Sequence, residues 1–198
     1  EEIEDTNNRD LIDCSKRILT TSNSSLNLLS NLLVWSKVQV GKIRYTPTMI
    51  VVDEFSSEVL DFFKEQLNNK SISINHSISG DPVIESDRDM LGIILRNLIE
   101  NAINHTSEKS DIILEVEKGE KEIIVSIKDT GEGIPEELVE RIFDRFVTTE
   151  KSVIDGKKGI GLGLTICRAI VQAHGGSIYY LPNDPQGSIF TFSLPLEV

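Results

Sequence analysis

Cysteine is nearly absent from the 198 residues: only Cys14 and Cys167 occur, far apart and with no His or Cys beside them at ligand spacing. A disulfide framework and a zinc site are both disfavoured, and a reducing compartment fits best. Long apolar runs are missing too. None approaches the ~20 residues of a membrane span, mean hydropathy is −0.11, and no secretory signal opens the chain. Positive charge is scarce, with 20 Lys and Arg against 32 Asp and Glu and a net charge of −12. A nucleic-acid surface, which needs clustered cations, is not expected. The first residue is Glu1 rather than Met, so the chain is expected to be a piece of a longer protein. What remains, 39% hydrophobic and 26% charged, suffices for one sizeable domain plus an accessory element.

Glycine and proline are also absent from residues 9–40, which read as one long helix. Ile12, Leu19, Leu26 and Leu33 recur every seven residues, with Leu29 and the serines Ser15, Ser22 and Ser36 at the other seam positions. This is a packing stripe for a helical bundle or coiled coil. A core helix of one globular domain is the alternative, but ~30 residues span ~45 Å, more than such a domain needs. Gly41 and Pro47 end the helix, and a domain boundary is placed there.

Beyond it, helices and strands interleave. Asp53 is expected to cap a helix running to about Asn69, followed by strands over 71–78 and 81–86. Ser86 or Asp87 caps a helix over 88–105, and 111–129 reads as two strands around a turn at Gly119. A short helix from Pro135, a polar segment 147–158, a helix over 160–173 and strands over 176–181 and 188–194 complete the pattern. Such interleaving predicts helices on one face of a mixed sheet.

Three stretches carry chemistry. "NLIENAINHT" puts Asn97, Asn101 and Asn104 at i, i+4 and i+7, beside the apolar stripe of Leu91, Leu95, Leu98 and Ala102. A solvated face favours Glu and Lys, whereas Asn costs helix propensity without supplying charge. Amide oxygens do suit Mg²⁺. "DTGEGI" follows a strand directly: it is either a strand-ending turn, or Asp129 is a fixed acceptor with Gly131 and Gly133 letting a planar ligand approach. "GKKGIGLGL" sets Gly159, Gly161 and Gly163 at alternate positions ahead of a helix, able to turn backbone N–H groups toward phosphate. It is not a Walker P-loop, and it lacks the preceding strand of a Rossmann turn. Lys151, Lys157, Lys158, Arg141 and Arg145 gather before or within it, and local positive charge in an acidic chain suits a polyphosphate.

Taken in order, the pieces resemble the ATP-binding domain of sensor histidine kinases, in the GHKL superfamily. "LRNLIENAINHT" is similar to the N box, "DTGEGI" to the first glycine box, "RIFDRF" to the F box and "GIGLGLTI" to the second glycine box. "AHGGSIYY" and "GSIFTFSLP" resemble the closing strands, and "NLLVWSKVQVGKIRYTP" the end of the second dimerisation helix with its linker. The resemblance implies an α+β fold, a two-layer α/β sandwich of Bergerat type preceded by a long helix. Residues 1–46 would be a partial dimerisation domain and 47–198 the catalytic domain.

By the same resemblance the cofactors are ATP and Mg²⁺. Asn101 takes the metal, and Asn97 supports it or a phosphate. Asp129 accepts from the adenine amino group, Gly131 and Gly133 admit the base, and Thr191 adds a water-mediated contact. Gly159, Gly161 and Gly163 line the triphosphate under a lid, 147–158, which Phe143 and Phe146 anchor. Asn104, His105, Ile134, Lys157, Lys158, Leu162 and Leu164 complete the implied ATP contacts. Many members have Lys at the place of Asn104, an aromatic at His105 and an F-box Arg at Thr148, so two phosphate contacts depart from the pattern. The lid lysines are then the substitutes, and the departures bear on phosphoryl transfer more than on binding.

Hydrolysing relatives carry Glu four residues before the metal-binding Asn. Here that residue is Asn97, and Glu100 is expected to point away. The acceptor is therefore expected to supply its own nucleophile; the resemblance implies a histidine, and none of His76, His105 and His174 lies in an acceptor-like context. It would stand on a first dimerisation helix outside this chain, which makes the chain's own dimerisation helix, a homodimer and a response-regulator receiver domain the implied partners. The implied location is cytoplasmic, without membrane contact by these residues, in a parent that could be an inner-membrane sensor. A degenerate nucleotide-binding module and a GHKL-type ATPase are the alternatives.

Overall fold

The computed structural model describes Cys14, Ser15, Ile18, Ser36 and residues 45–148 and 161–196. The chain divides into two compact units, Glu1–Ile43 and Arg44–Val198. In the first, the four described residues are helical and exposed; the rest of the expected long helix lies outside the described residues. Among the described residues, no helix is long and apolar enough to cross a membrane.

The second unit runs β1 (Thr48–Val51), α1 (Val52–Phe62), α2 (Lys64–Lys70), β2 (Ser73–Ser79), β3 (Val83–Ser86), α3 (Arg88–His105), β4 (Asp111–Lys118), β5 (Glu122–Asp129), α4 (Glu136–Val139), α5 (Gly163–Ala173), β6 (Ser177–Pro182) and β7 (Ser188–Pro195). Five strands form one mixed sheet in the order β2-β4-β5-β7-β6. β2 and β4 are parallel and the other pairs antiparallel. The period of two decides which face is covered. Ile112, Leu114 and Val116 of β4 and Ile123, Val125 and Ile127 of β5 are buried, whereas the residues between them are partly open. On the buried face lie α3 and α5, contributing Leu91, Ile94, Leu95, Leu98 and Ile99, and Ile166, Ile170 and Val171. Each fully buried Leu or Ile contributes roughly 1.5–3 kcal/mol of transfer free energy. The α+β sandwich expected from the sequence is the one observed.

Three local expectations change. The helix after β1 begins at Val52 with Val51 at its N-cap and no side-chain cap, so Asp53 lies in the first turn instead of capping. That helix also breaks: Phe63 adopts φ −97°, ψ 0° between α1 and α2. The buried face runs on through the break: Val59, Leu60, Phe63 and Leu67 keep the helical period, so Phe63 is 2% exposed and Phe62, about 100° away, is 70% exposed. β1, not expected as a strand, pairs with β3 antiparallel and buries only Ile50 against Ile84. A four-residue strand with one buried side chain has no period to read.

α3 starts where a cap was expected. Asp87 is the N-cap, its Oδ1 accepting from the N–H groups of Asp89 and Met90 at 3.0 and 3.1 Å. Its Oδ2 accepts from Thr46 N–H at 2.9 Å, joining the incoming chain to the same helix end. At the other end, Lys70 Nζ donates to the carbonyls of Ile103 and Thr106. α3, which carries the asparagine row, is thus fixed at both termini.

Candidate nucleotide site

Asp129 ends β5 on the covered face, in line with Ile123, Val125 and Ile127, and is 2% exposed. Its Oδ1 accepts from Gly131 N–H at 2.8 Å and from Ser188 N–H at 3.2 Å. Burial pushes the carboxyl above its ordinary pKa, and the hydrogen bonds from the Gly131 backbone and from the Ser188 backbone and hydroxyl pull it back. A buried acid held in place by backbone donors is a fixed, desolvated acceptor. The glycine turn after it docks on the end of α3: a Cβ at Gly131 would lie 2.5 Å from the His105 carbonyl oxygen. Ile134 N–H donates to the Tyr180 hydroxyl at 3.3 Å, and Tyr180 packs against Phe190.

Two turns back along α3, Asn97 meets the start of α5. Asn97 Nδ2 donates to Ile93 O at 2.8 Å, which turns its amide oxygen outward. A Cβ at Gly163 would sit 2.6 Å from that Oδ1, so a larger residue there would displace the Asn97 amide. The N-cap residue of α5 is Leu162, and no side chain caps it. Its first-turn N–H groups and the positive end of the helix dipole therefore lie beside the Asn97 oxygen. Asn101 and Asn104 are half-buried on the same helix and His105 is exposed. From residue 97 to 105, α3 rises on the order of 12 Å, which separates the buried acid end from the helix-terminus end.

This donor set fits one kind of metal. Among the described residues no three His, Cys, Asp or Glu side chains cluster to hold an ion. Neutral amide oxygens from Asn101 and Asn97 beside a helix N-terminus suit Mg²⁺ that takes its other ligands from water and phosphate. Glu100 is half-buried and burial raises its carboxyl pKa. It lies three residues from Asn97 and four from Asn104, so it borders the row, where the sequence reading turned it away. It is still about 100° around the helix from Asn101.

The F box splits in two. Ile142 is buried, Phe143 packs edge-on against Phe190 at 6.4 Å, and the Arg168 guanidinium lies over the Phe143 ring at 5.8 Å. The Asp144 carbonyl accepts from Thr165 Oγ1 at 3.0 Å, and its carboxylate from Arg168 at 3.4 Å. This segment is pinned to α5 and β7. Phe146, expected to share the anchoring, is instead 67% exposed with φ +62°. Its N–H donates to the Gly161 carbonyl at 2.9 Å, closing the two ends of the segment expected as the lid. Lys151, Lys157, Lys158 and Gly159 lie outside the described residues; Gly161, Leu162, Gly163 and Leu164 follow directly, Leu162 buried and Leu164 half-buried.

One expected contact is corrected. Thr191 lies between Phe190 and Phe192, which face the helices, so its side chain is on the opposite face of the sheet from Asp129. Its hydroxyl pairs with Ser126 Oγ at 2.9 Å. The residue that reaches Asp129 is Ser188, which the sequence reading passed over. Strand alternation could have found it, since Ser188, Phe190 and Phe192 share a face.

Residues 86–198 match the family described as histidine kinase-, DNA gyrase B-, and HSP90-like ATPase. The sensor protein KdpD of Clostridium acetobutylicum is 33% identical over 174 residues, 87% of this chain and 19% of that protein. The sensory kinase SasA of Crocosphaera subtropica is 34% identical over 171 residues, 85% of this chain and 44% of that one. The chain thus spans less than half the length of either. The catalytic domain of histidine kinase ThkA superposes with a TM-score of 0.70 at 34% identity, covering 77% of this chain and 99% of that domain. ThkA in complex with the response regulator TrrA gives 0.68 at 31%, covering 86% of this chain and 49% of that one. Full-length ShkA in complex with AMPPNP gives 0.76 at 26%, covering 88% and 36%. With its motifs on the elements just described, the chain belongs to the histidine kinase-, DNA gyrase B- and HSP90-like ATPase family, and the relatives named here are sensor kinases.

Proposed function

We propose that residues 47–198 bind Mg·ATP and transfer its γ-phosphate to a histidine of a dimerisation domain, for relay to a response-regulator aspartate. Residues 1–46 would be the second dimerisation helix and its linker. The observation that carries the reading is the pairing of the two ends of α3. A buried carboxylate stands beside the helix C-terminus, and two turns back the Asn97 oxygen meets the uncapped N-terminus of α5. One end recognises a base with an exocyclic amino group, the other a polyphosphate. The complexes of ThkA with a response regulator and of ShkA with AMPPNP support partner and ligand.

In this reading Asp129 Oδ1 is committed to two backbone N–H groups, and Oδ2 accepts from the adenine amino group. Ser188 places its hydroxyl at the same acid. Asn101, with Asn97, holds Mg²⁺, which when bound neutralises charge on the phosphate oxygens. The first-turn N–H groups of α5 bind the phosphates, and the incoming histidine is its own nucleophile. The full chain, mixed with a protein bearing the acceptor helix and ATP, should form acid-labile phosphate, and Asn101→Asp should abolish both the transfer and most ATP affinity. ATP binding by calorimetry without any transfer would instead favour a nucleotide-binding module, the reading motivated by Asn104 and Thr148.

A further inference from the structure

The loop between β6 and β7 touches Asp129 at its main-chain carbonyl. Asn183 Nδ2 donates to the Asp129 main-chain carbonyl at 2.8 Å, across 54 residues of sequence. Its own side-chain oxygen accepts from Asp184 N–H at 3.0 Å, and its N–H donates to the Gly187 carbonyl at 3.1 Å. The loop is thereby closed on itself and tied to residue 129 through one amide. Gly187 runs against the same carbonyl so closely that a Cβ there would lie 2.0 Å from it. The next residue, Ser188, donates its N–H to the Asp129 carboxylate. Residue 129 is therefore gripped at its carbonyl by Asn183 and at its carboxylate by Ser188.

We infer that Asn183 is a positioning residue for base recognition, holding the Asp129 backbone so that the carboxylate meets the exocyclic amino group of adenine. This rests on the nucleotide reading above. Asp129 is the last residue of β5 and leads into the glycine turn. With the strand before it held opposite Ile112, rotation about ψ of Asp129 would swing its carbonyl and the following turn, whose Gly131 N–H orients the carboxylate. Fixing the carbonyl fixes that rotation, which spares the cost of ordering the acceptor when the base arrives. Asn suits the task because one side chain supplies both an acceptor for the loop and a donor for Asp129. Aspartate at 183 keeps the shape and the acceptor but loses the donor.

The test uses the full chain and its Asn183→Asp and Asn183→Ala variants, with ATP and GTP affinities read by calorimetry and competition and apo melting as control. GTP carries an acceptor where adenine carries its amino donor. The expected result is about a tenfold loss of ATP affinity in both variants, the scale of one lost hydrogen bond to a preorganised site. GTP binding should stay within about twofold, so the preference for ATP narrows. Unchanged ATP affinity, or an equal loss for both nucleotides tracking a drop in apo melting, would overturn the positioning role. No ATP preference in the unsubstituted chain would overturn base recognition by Asp129, and binding of neither nucleotide would sink the nucleotide reading itself, both separable from failure of Asn183 alone.

Discussion

A single carboxylate sets opposing demands at the residue scale. Asp129 is buried, and its pKa is raised chiefly because burial disfavours the charge. A carboxyl raised on folding holds its proton more tightly folded than unfolded. Its favourable contribution is therefore present below the unfolded pKa and is lost as pH rises through the folded one. Base recognition needs the ionised acceptor and runs the other way, falling as pH drops through the same interval. Asp129→Asn should accordingly melt no lower than the parent at pH 7, because the amide oxygen still accepts from Gly131 and Ser188 without a buried charge. ATP affinity should fall by about two orders of magnitude, the scale of a lost charge-assisted bond. In that variant the pH dependence of both melting and ATP affinity should flatten, and Glu100, whose carboxyl is also raised by burial, contributes to the melting slope that is left. Ser188 and Thr191 provide a sharper pair. Ser188→Ala should weaken ATP several-fold, whereas Thr191→Ala should leave affinity unchanged and cost about 1 kcal/mol of stability through its lost pairing with Ser126. Calorimetry and thermal melting of the two single variants decide the assignment. Amides in a helix and an acid before glycines stand out in sequence, and Asp129 is indeed a buried acid held by backbone donors, while the metal role of Asn101 belongs to the proposal. Ser188 was not read because a hydroxyl beside a glycine looks like any turn, until strand alternation assigns it a face.

At the scale of elements, what could be read depended on period length. α3, β4 and β5 each carry a full repeat of buried positions, and their observed bounds fall within a residue of those expected. α1 and α2 share one helical pattern of buried positions that continues through Phe63, although the backbone departs from the helix there. Propensity over 53–69 contains no Gly or Pro to announce the break. The cap of α3 is the element's most exposed dependency. Asp87 satisfies two first-turn N–H groups and also receives Thr46, so one carboxylate serves both the helix and the entering chain. Asp87→Ala should cost about 1–2 kcal/mol, a strong-cap value. For a unit of this size that is a drop in melting temperature of roughly 2–8 °C, followed by circular dichroism. Asp87→Ser, which can still accept from the first turn, should recover about half the loss if capping dominates. Full loss in both variants would mean the Thr46 bond matters more than the cap.

For the whole molecule, the question is what would become of ATP bound as proposed. The family includes both phosphotransferases and hydrolases, and the sandwich alone does not separate them. What would separate them is a carboxylate at the helix that carries the asparagine row. A base serving a water next to the metal should stand over the metal ligand on the same stripe of the helix, four residues away. At that place stands Asn97, whose amide cannot take a proton and whose Nδ2 is already spent on Ile93 O. Glu100 borders the row, and its raised pKa would suit a base, but it projects about 100° around α3 from Asn101. The chain should therefore bind Mg·ATP and keep it: steady-state phosphate release should stay at the buffer background, and Glu100→Gln should leave it there. Release well above background that vanishes in Glu100→Gln would make Glu100 a hydrolytic base and move the chain to the ATPase side of its family. Release that survives Glu100→Gln but is lost in Asp129→Asn would place hydrolysis at this nucleotide site without Glu100 as its base.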